Sequence, residues 1–139
     1  MISHDFEISR EELDILRNEY PNMGKNSHVG NIAVKVVQFY FLSLDPNASF
    51  GTGKNGADLT VIYNGKTEQF EVKGTVDKAI SWTKIKVSSS ACYNALISGM
   101  TLIRVTGIGE TKMVLHFMKY GEDFKLLPEA RWAVSQIKK

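Results

Sequence analysis

Apolar residues recur every three to four positions in the first part of the chain, the spacing that places them on one face of a helix. Ser9 and Glu12 form a capping-box pattern at the start of such a segment. The sequence therefore predicts a first helix that ends before Pro21. A second helix is predicted over residues 27–42, where a wide apolar face is formed by Ile32, Ala33, Val36, Val37, Tyr40 and Phe41.

Strand-like segments follow in the middle of the chain. Residues 59–63 and 67–72 contain β-branched and aromatic residues, and they are separated by Asn64-Gly65. This dipeptide is typical of a two-residue turn between antiparallel strands, so the two segments predict a hairpin. Residues 82–87 predict a further short strand, because apolar and polar side chains alternate there.

Turn-forming residues divide the rest of the chain. Glycine, asparagine, proline and serine predict a loop over residues 45–56. A serine at position 88, 89 or 90 caps a predicted third helix of about ten residues. Residues 101–106 and 113–118 predict a second hairpin, and a final helix is predicted from Pro128 onward.

This order of elements predicts one domain of the α/β or α+β type, with a mixed central sheet of four to five strands flanked by helices. A chain of 139 residues is long enough to enclose one hydrophobic core. The net charge of +2 neither indicates nor excludes a nucleic-acid partner, because a local basic face matters more than the total.

A single cysteine and the absence of long apolar runs narrow the class of protein. With Cys92 alone, the chain has no internal disulfide and no CxxC metal knuckle, and its apolar surroundings predict a buried, inert thiol. The first residues lack a signal-peptide pattern, and no apolar run reaches the roughly 18 to 20 residues that cross a bilayer. We therefore expect a cytoplasmic protein with no membrane partner.

The Asn64-Gly65 turn predicts the register of the first hairpin. A two-residue turn pairs Tyr63 with Lys66, and continuing this register places Asp58 opposite Glu71. Directly opposed residues have Cβ atoms roughly 4.5 to 5.5 Å apart on one face of the sheet. Lys73, two residues beyond Glu71, projects from the same face.

Two opposed carboxylates destabilise a sheet unless a cation offsets their repulsion. Asp58 and Glu71 offer the hard oxygen ligands that suit Mg²⁺, and the peptide carbonyl of Val72 is a further candidate oxygen. Lys73 would orient or help deprotonate an attacking water, or stabilise charge on a phosphate. The alternative is a surface ion-pair cluster on an exposed sheet face, the opposite face carrying the core residues Leu59, Val61, Phe70 and Val72.

The segment GADLTVIYNGKTEQFEVKGT resembles the core of the PD-(D/E)XK nuclease superfamily. Asp58 matches the aspartate of that motif, and Glu71-Val72-Lys73 match its (D/E)XK element. The stretch SWTKIKVSSSACYNALISGMTLIRV also resembles a restriction-endonuclease-like branch of uncharacterised domains, so the likeness covers about residues 28–118. The resemblance implies a restriction-endonuclease-like fold, Mg²⁺ held by the two carboxylates, and phosphodiester hydrolysis assisted by the lysine.

Two positions depart from the family pattern. Ala57 replaces the proline that precedes the aspartate. Val34 stands where many members carry a glutamate on the helix before the hairpin, and Asn31 or Gln38 are the polar residues that would substitute for it. The second departure leaves open a fold that binds without cutting.

Basic and aromatic residues near the predicted site are candidate nucleic-acid contacts. Lys54 lies in the glycine-rich loop before Asp58. Trp82, Lys84 and Lys86 alternate onto one face of the predicted third strand, where they would stack on a base and contact the backbone. The alternative is a half-buried edge-strand tryptophan beside solvated lysines.

These features predict a Mg²⁺-dependent deoxyribonuclease, with Mn²⁺ as a substitute metal, acting in a setting such as restriction, repair or phage DNA processing. Asp58, Glu71 and Lys73 are the expected catalytic residues. DNA is the expected partner, with RNA as the other nucleic acid, and cutting both strands at once would need a homodimer. The alternative is a catalytically inactive nucleic-acid-binding or assembly module on the same fold.

Overall fold

A six-stranded mixed sheet forms the centre of the fold. The computed structural model describes residues 1–128 and 132–138. Within that part of the chain the elements are β1 (Ile2–Glu7), α1 (Arg10–Glu19), α2 (Asn26–Leu44), β2 (Ser49–Thr52), β3 (Leu59–Tyr63), β4 (Lys66–Gly74), β5 (Lys86–Val87), α3 (Ser90–Ile97), β6 (Thr101–Thr106), β7 (Lys112–Met118), β8 (Phe124–Leu127) and β9 (Trp132–Gln136). The mixture of helices and strands is confirmed, although the main sheet has six strands rather than four to five.

The strands of the main sheet lie in the order β1-β7-β6-β4-β3-β2. Neighbouring strands run antiparallel, except for the parallel pair β4 and β6. The connection between these two strands contains β5 and α3. A second sheet of three strands, in the order β5-β9-β8, lies outside the main one.

Both faces of the main sheet are covered. The first hydrophobic core packs α1 and α2 against one face, and it includes the four hairpin residues that the sequence assigned to the core: Leu59, Val61, Phe70 and Val72. The second core packs α3 and the small sheet around Leu102 and Met118. Every residue of β6 is buried, because this strand lies between the two cores.

The predicted helix starts in the first two thirds of the chain are confirmed. The Ser9 side chain accepts a hydrogen bond from the Glu12 amide, and the Glu12 carboxylate accepts one from the Ser9 amide, which completes the capping box. Helix α2 spans the predicted segment and extends it by two residues at its C-terminus and one at its N-terminus. Ser89 caps α3 by accepting a hydrogen bond from the Cys92 amide.

Two predicted elements in the second half of the chain are wrong. Residues 82–87 are not one strand, because Trp82–Lys84 form a 3₁₀ turn and only Lys86–Val87 pair in a sheet. Ser81 starts this turn in the left-handed region, with φ 56°. The predicted final helix is replaced by β9, which is held by pairing with β5 and β8; residues 129–131 and 139 lie outside the described residues.

Two edge strands are absent from the sequence prediction. Strand β2 lies within the predicted loop over residues 45–56 and pairs with β3. Strand β1 pairs with β7, although most of its side chains are exposed. Both are edge strands with few buried side chains, so their side-chain pattern provides little signal. No helix in the described ranges combines the length and the apolar character needed to cross a membrane.

Gly74 lies where α2 packs tightly against β4. A Cβ atom at this position would lie 2.7 Å from the Cβ of Ala33 and 3.2 Å from the carbonyl oxygen of Val29. We therefore expect Gly74→Ala to lower the free energy of unfolding by about 1 to 3 kcal/mol through overpacking, as measured by urea denaturation. Gly30→Ala is the matched control, because a Cβ at this helical position meets nothing within 4 Å and should be neutral or stabilising. Equal effects of the two substitutions would contradict this packing.

Candidate metal centre and basic groove

The first hairpin holds Asp58 at the point where its ladder ends. Strands β3 and β4 pair one to one from Tyr63 with Lys66 to Leu59 with Phe70, as the turn predicts. Beyond this ladder, the Asp58 amide donates to the carbonyl oxygen of Phe70 at 2.9 Å. The Asp58 Oδ2 atom accepts a hydrogen bond of 2.9 Å from the amide of Val72. The carboxylate is therefore held against the backbone of β4 beside Glu71.

Glu71 and Lys73 form an ion pair on β4. The Lys73 Nζ atom lies 3.1 Å from Glu71 Oε2. Glu71 is only 5% exposed, because the face of the sheet on which it lies is covered by the second core. Asp58, by contrast, is exposed. The cluster is therefore not a solvated ion pair on an open sheet face, since its central carboxylate is buried.

Burial changes the protonation of Glu71. Loss of solvation raises the pKa of the Glu71 carboxyl to about 7, although the adjacent Lys73 ammonium acts in the opposite direction. The Asp58 carboxylate raises this pKa further. Cys92 is buried next to Glu71, and burial and this carboxylate raise the pKa of the thiol to about 12. The predicted burial of Cys92 is confirmed, and the thiol is neutral at physiological pH.

A groove of about 550 Å³ lies along this site, between α2 and the end of β4. Several of the residues that the sequence singled out share its wall: Asp58, Val72, Lys73, Lys84 and Lys86, with Asn31 and Val34 on the α2 side. Glu71 lies behind this wall and does not line it. A larger cavity of about 680 Å³ at the β1–β7 side of the sheet is lined by none of the predicted site residues.

Two predicted contact residues lie away from the groove. Lys54 is exposed in the loop before β3 and does not line the groove. Trp82 packs against the second core, because the 3₁₀ turn removes it from the face that Lys84 and Lys86 share. The predicted alternation of these three side chains on one strand face is therefore wrong.

The glycines before Asp58 serve the packing of the chain itself. A Cβ at Gly53 would lie 1.9 Å from the carbonyl oxygen of Ala57. Gly56 has φ 92°, and a Cβ there would lie 2.4 Å from the amide nitrogen of Cys92 in α3. These glycines allow the loop to approach the first turn of α3, which positions Asp58 near Cys92 and Glu71.

From the sequence, Arg104 is recognisable only as a charged residue inside an apolar strand, whereas the structure shows its surroundings. The residue is buried and is one of those that line the groove. It donates from Nε to the carbonyl oxygen of Ile80 at 2.8 Å and from Nη1 to that of Gly74 at 3.1 Å. Both of these acceptors are neutral carbonyl groups.

The acidic donors of the site are carboxylates, the type of ligand that hard divalent cations prefer. Asp58 and Glu71 supply carboxylate oxygens, and Mg²⁺ needs few protein ligands because it keeps several waters. The Val72 amide is already bonded to Asp58, and a role for the Val72 carbonyl stays a prediction. Within the residues that the structure describes, no group of three or more His, Cys, Asp and Glu side chains could hold a metal. Among the described residues, a metal at this site would therefore have two carboxylate ligands, those of Asp58 and Glu71.

The raised pKa of Glu71 predicts a pH-dependent stability. Between pH 4.5 and about 7 the folded protein binds more protons at this carboxyl than the unfolded chain does, so stability falls as the pH rises through this window. Glu71→Gln should remove this loss. Between pH 4.5 and pH 8, the free energy of unfolding of this variant should therefore rise by on the order of 3 kcal/mol relative to that of the wild type. Urea unfolding in EDTA at several pH values measures the difference. Glu110→Gln, at an exposed carboxylate, is the matched control, and an equal pH trend in both variants would contradict the assignment.

Comparison with known proteins gave no relative. No family model matches the chain, and neither the curated proteins nor the solved structures contain a match. A functional assignment therefore depends on the geometry of the carboxylate–lysine cluster and its groove.

Proposed function

We propose that the protein is a Mg²⁺-dependent deoxyribonuclease with a restriction-endonuclease-like site. The observation that carries this proposal is the buried Glu71 carboxylate beside Asp58, with the Lys73 ammonium 3.1 Å from its oxygen at the wall of a basic groove. A buried carboxyl with a shifted pKa and a specific charged partner is typical of functional sites rather than of surface ion pairs. The motif resemblance points to the same three residues.

The roles of the residues follow from their positions. Asp58 and Glu71 would hold Mg²⁺, which supplies a Lewis acid for the phosphate when bound. Asp58 is preoriented, because one of its oxygens is fixed by the Val72 amide while the side chain remains exposed to the groove. Lys73 can exchange its contact with Glu71 for one with a phosphate oxygen, where its ammonium stabilises the charge that develops during hydrolysis.

The groove supports a nucleic acid as the substrate. Lys73, Lys84, Lys86 and Arg104 line it together, against Asp58 as the acidic lining residue. Cationic side chains along a groove bind the phosphate backbone irrespective of sequence. Lys84 is exposed and forms an ion pair of 2.8 Å with Asp77, a contact that it can exchange for a phosphate. Lys54 and Trp82 would contact only the parts of a nucleic acid that extend beyond the groove.

A second function, nucleic-acid binding without cleavage, is favoured by the α2 wall of the groove. Val34 and Asn31 line this wall and supply no carboxylate for a further metal contact. This second proposal requires salt-sensitive DNA binding that Asp58→Ala does not weaken, together with an absence of metal-dependent cleavage.

Nicking of supercoiled plasmid distinguishes the two proposals. With Mg²⁺ or Mn²⁺ we expect wild type to nick the plasmid and EDTA to abolish the reaction. Asp58→Ala and Lys73→Ala should each reduce the rate about 100-fold or more, because each removes a group that acts on the reacting phosphate. Lys66→Ala, at an exposed lysine of the same hairpin, should leave the rate unchanged.

Two results would overturn the nuclease proposal. Equal nicking by wild type and Lys73→Ala would assign the activity to another site or to a contaminant. Salt-sensitive DNA binding by wild type, with no nicking in either metal, would support the binding module instead. Circular dichroism of each variant shows whether it is folded, which distinguishes loss of activity from loss of structure.

A further inference from the structure

Among the residues that the structure describes, the Nη2 atom of the Arg104 guanidinium finds no hydrogen-bond acceptor. The residue lies in the centre of β6 and is 2% exposed. Its Nε and Nη1 atoms donate to the carbonyl oxygens of Ile80 and Gly74, whereas Nη2 has no hydrogen-bond partner among the described residues. A buried charged donor without an acceptor costs free energy, so a ligand that accepted a hydrogen bond from Nη2 would gain that free energy on binding.

No carboxylate in the described ranges lies within ion-pair distance of this guanidinium. Asp77 contributes to the potential at Arg104, but its Oδ2 atom is taken by Lys84 Nζ at 2.8 Å and by the Ser81 hydroxyl at 2.7 Å. Burial lowers the pKa of Arg104 to about 10, which still leaves the side chain charged at neutral pH. Among the described residues, the charge is therefore buried against neutral carbonyl groups without an ion-pair partner.

Arg104 also stands next to Lys73. The two residues are register partners on the parallel strands β4 and β6, so their side chains leave the sheet side by side. Both line the groove together with Lys84. Adjacent like charges on neighbouring strands repel each other, and an anion bound between them would remove that repulsion.

We propose that Arg104 is the phosphate-binding residue of the groove, with Nη2 donating to an oxygen of a nucleic-acid phosphate. The planar fork of arginine fits a phosphate, and a hydrogen bond between two charged groups is among the strongest available. The bound phosphate lies beside Lys73. This contact sets the position of the nucleic-acid strand relative to Asp58 and Glu71. This inference rests on the proposed function for the identity of the ligand, a nucleic-acid strand, but it requires no cleavage.

A titration of the wild-type protein tests the contact directly. The guanidinium ¹⁵N–¹H signals of Arg104 are followed by NMR in EDTA, first with inorganic phosphate against chloride at equal ionic strength, then with a short single-stranded DNA oligonucleotide. We expect a saturable shift at Arg104 and only a small shift at Arg17, an exposed arginine of α1. A saturable shift with either ligand supports the proposal, and none with both ligands overturns it.

Substitution measures what the contact contributes to binding. Arg104→Lys keeps the charge but loses the fork, and it should weaken binding of the oligonucleotide in EDTA by about tenfold to a hundredfold. Arg17→Lys is the matched control and should leave the affinity unchanged. Equal affinities of the two variants would overturn the proposal. If Arg104→Lys does not fold, as judged by circular dichroism, the wild-type titration decides.

The source of the phosphate is distinguished by the oligonucleotide used. Stronger binding of a 5′-phosphorylated strand than of its 5′-hydroxyl counterpart, lost in Arg104→Lys, would assign the site to a terminal phosphate. Equal binding of the two strands, reduced equally by the substitution, would assign it to an internal phosphodiester. Both results support the proposal. Because these measurements are made in EDTA, an Arg104 shift without plasmid nicking would refute the nuclease function and leave the phosphate site standing.

Discussion

The parallel pairing of β4 with β6 is the constraint on which the rest of the structure depends. These two strands join the antiparallel parts of the main sheet, β1-β7-β6 on one side and β4-β3-β2 on the other. The connection between them carries α3 across the sheet, and α3 contributes to the second core. Parallel strands are stable when both faces are covered, and here α2 covers one face and α3 the other. Phe70, Glu71 and Val72 in the middle of β4 are consequently buried although they alternate between the two faces, and Glu71 is buried for this reason.

Burial of both faces also produces the electrostatic character of the site. Glu71 on β4 and Arg104 on β6 lie in poorly solvated surroundings, and the charged form of each is disfavoured there. Lys73 lies between them, as the ion-pair partner of Glu71 and the register partner of Arg104. A cation would satisfy the carboxylates and a phosphate would satisfy the guanidinium. A divalent cation with a phosphate group, the combination that would meet both needs, is what the proposed nuclease function requires.

Elements with strong local signals could be predicted from the sequence. The capping box at Ser9, the apolar face of α2 and the Asn64-Gly65 turn each depend on residues close together in the chain. The same turn sets the hairpin register, so the approach of Asp58 to β4 beside Glu71 and Lys73 could be anticipated. Strands β1 and β2, at the two edges of the sheet, could not, because distant partners hold them through backbone hydrogen bonds.

By itself, therefore, the sequence determined a mixed α and β fold, its first hairpin and the residues of a carboxylate–lysine cluster. Only the tertiary structure decided that Glu71 is buried, that Lys84 and Lys86 join Lys73 at one groove, and that Trp82 does not. It also placed Arg104 beside Lys73 with a donor that finds no acceptor in the described residues. The physical reason is that turns and caps are specified by neighbouring residues, whereas burial and charge environment are specified by how distant strands pair and what covers them.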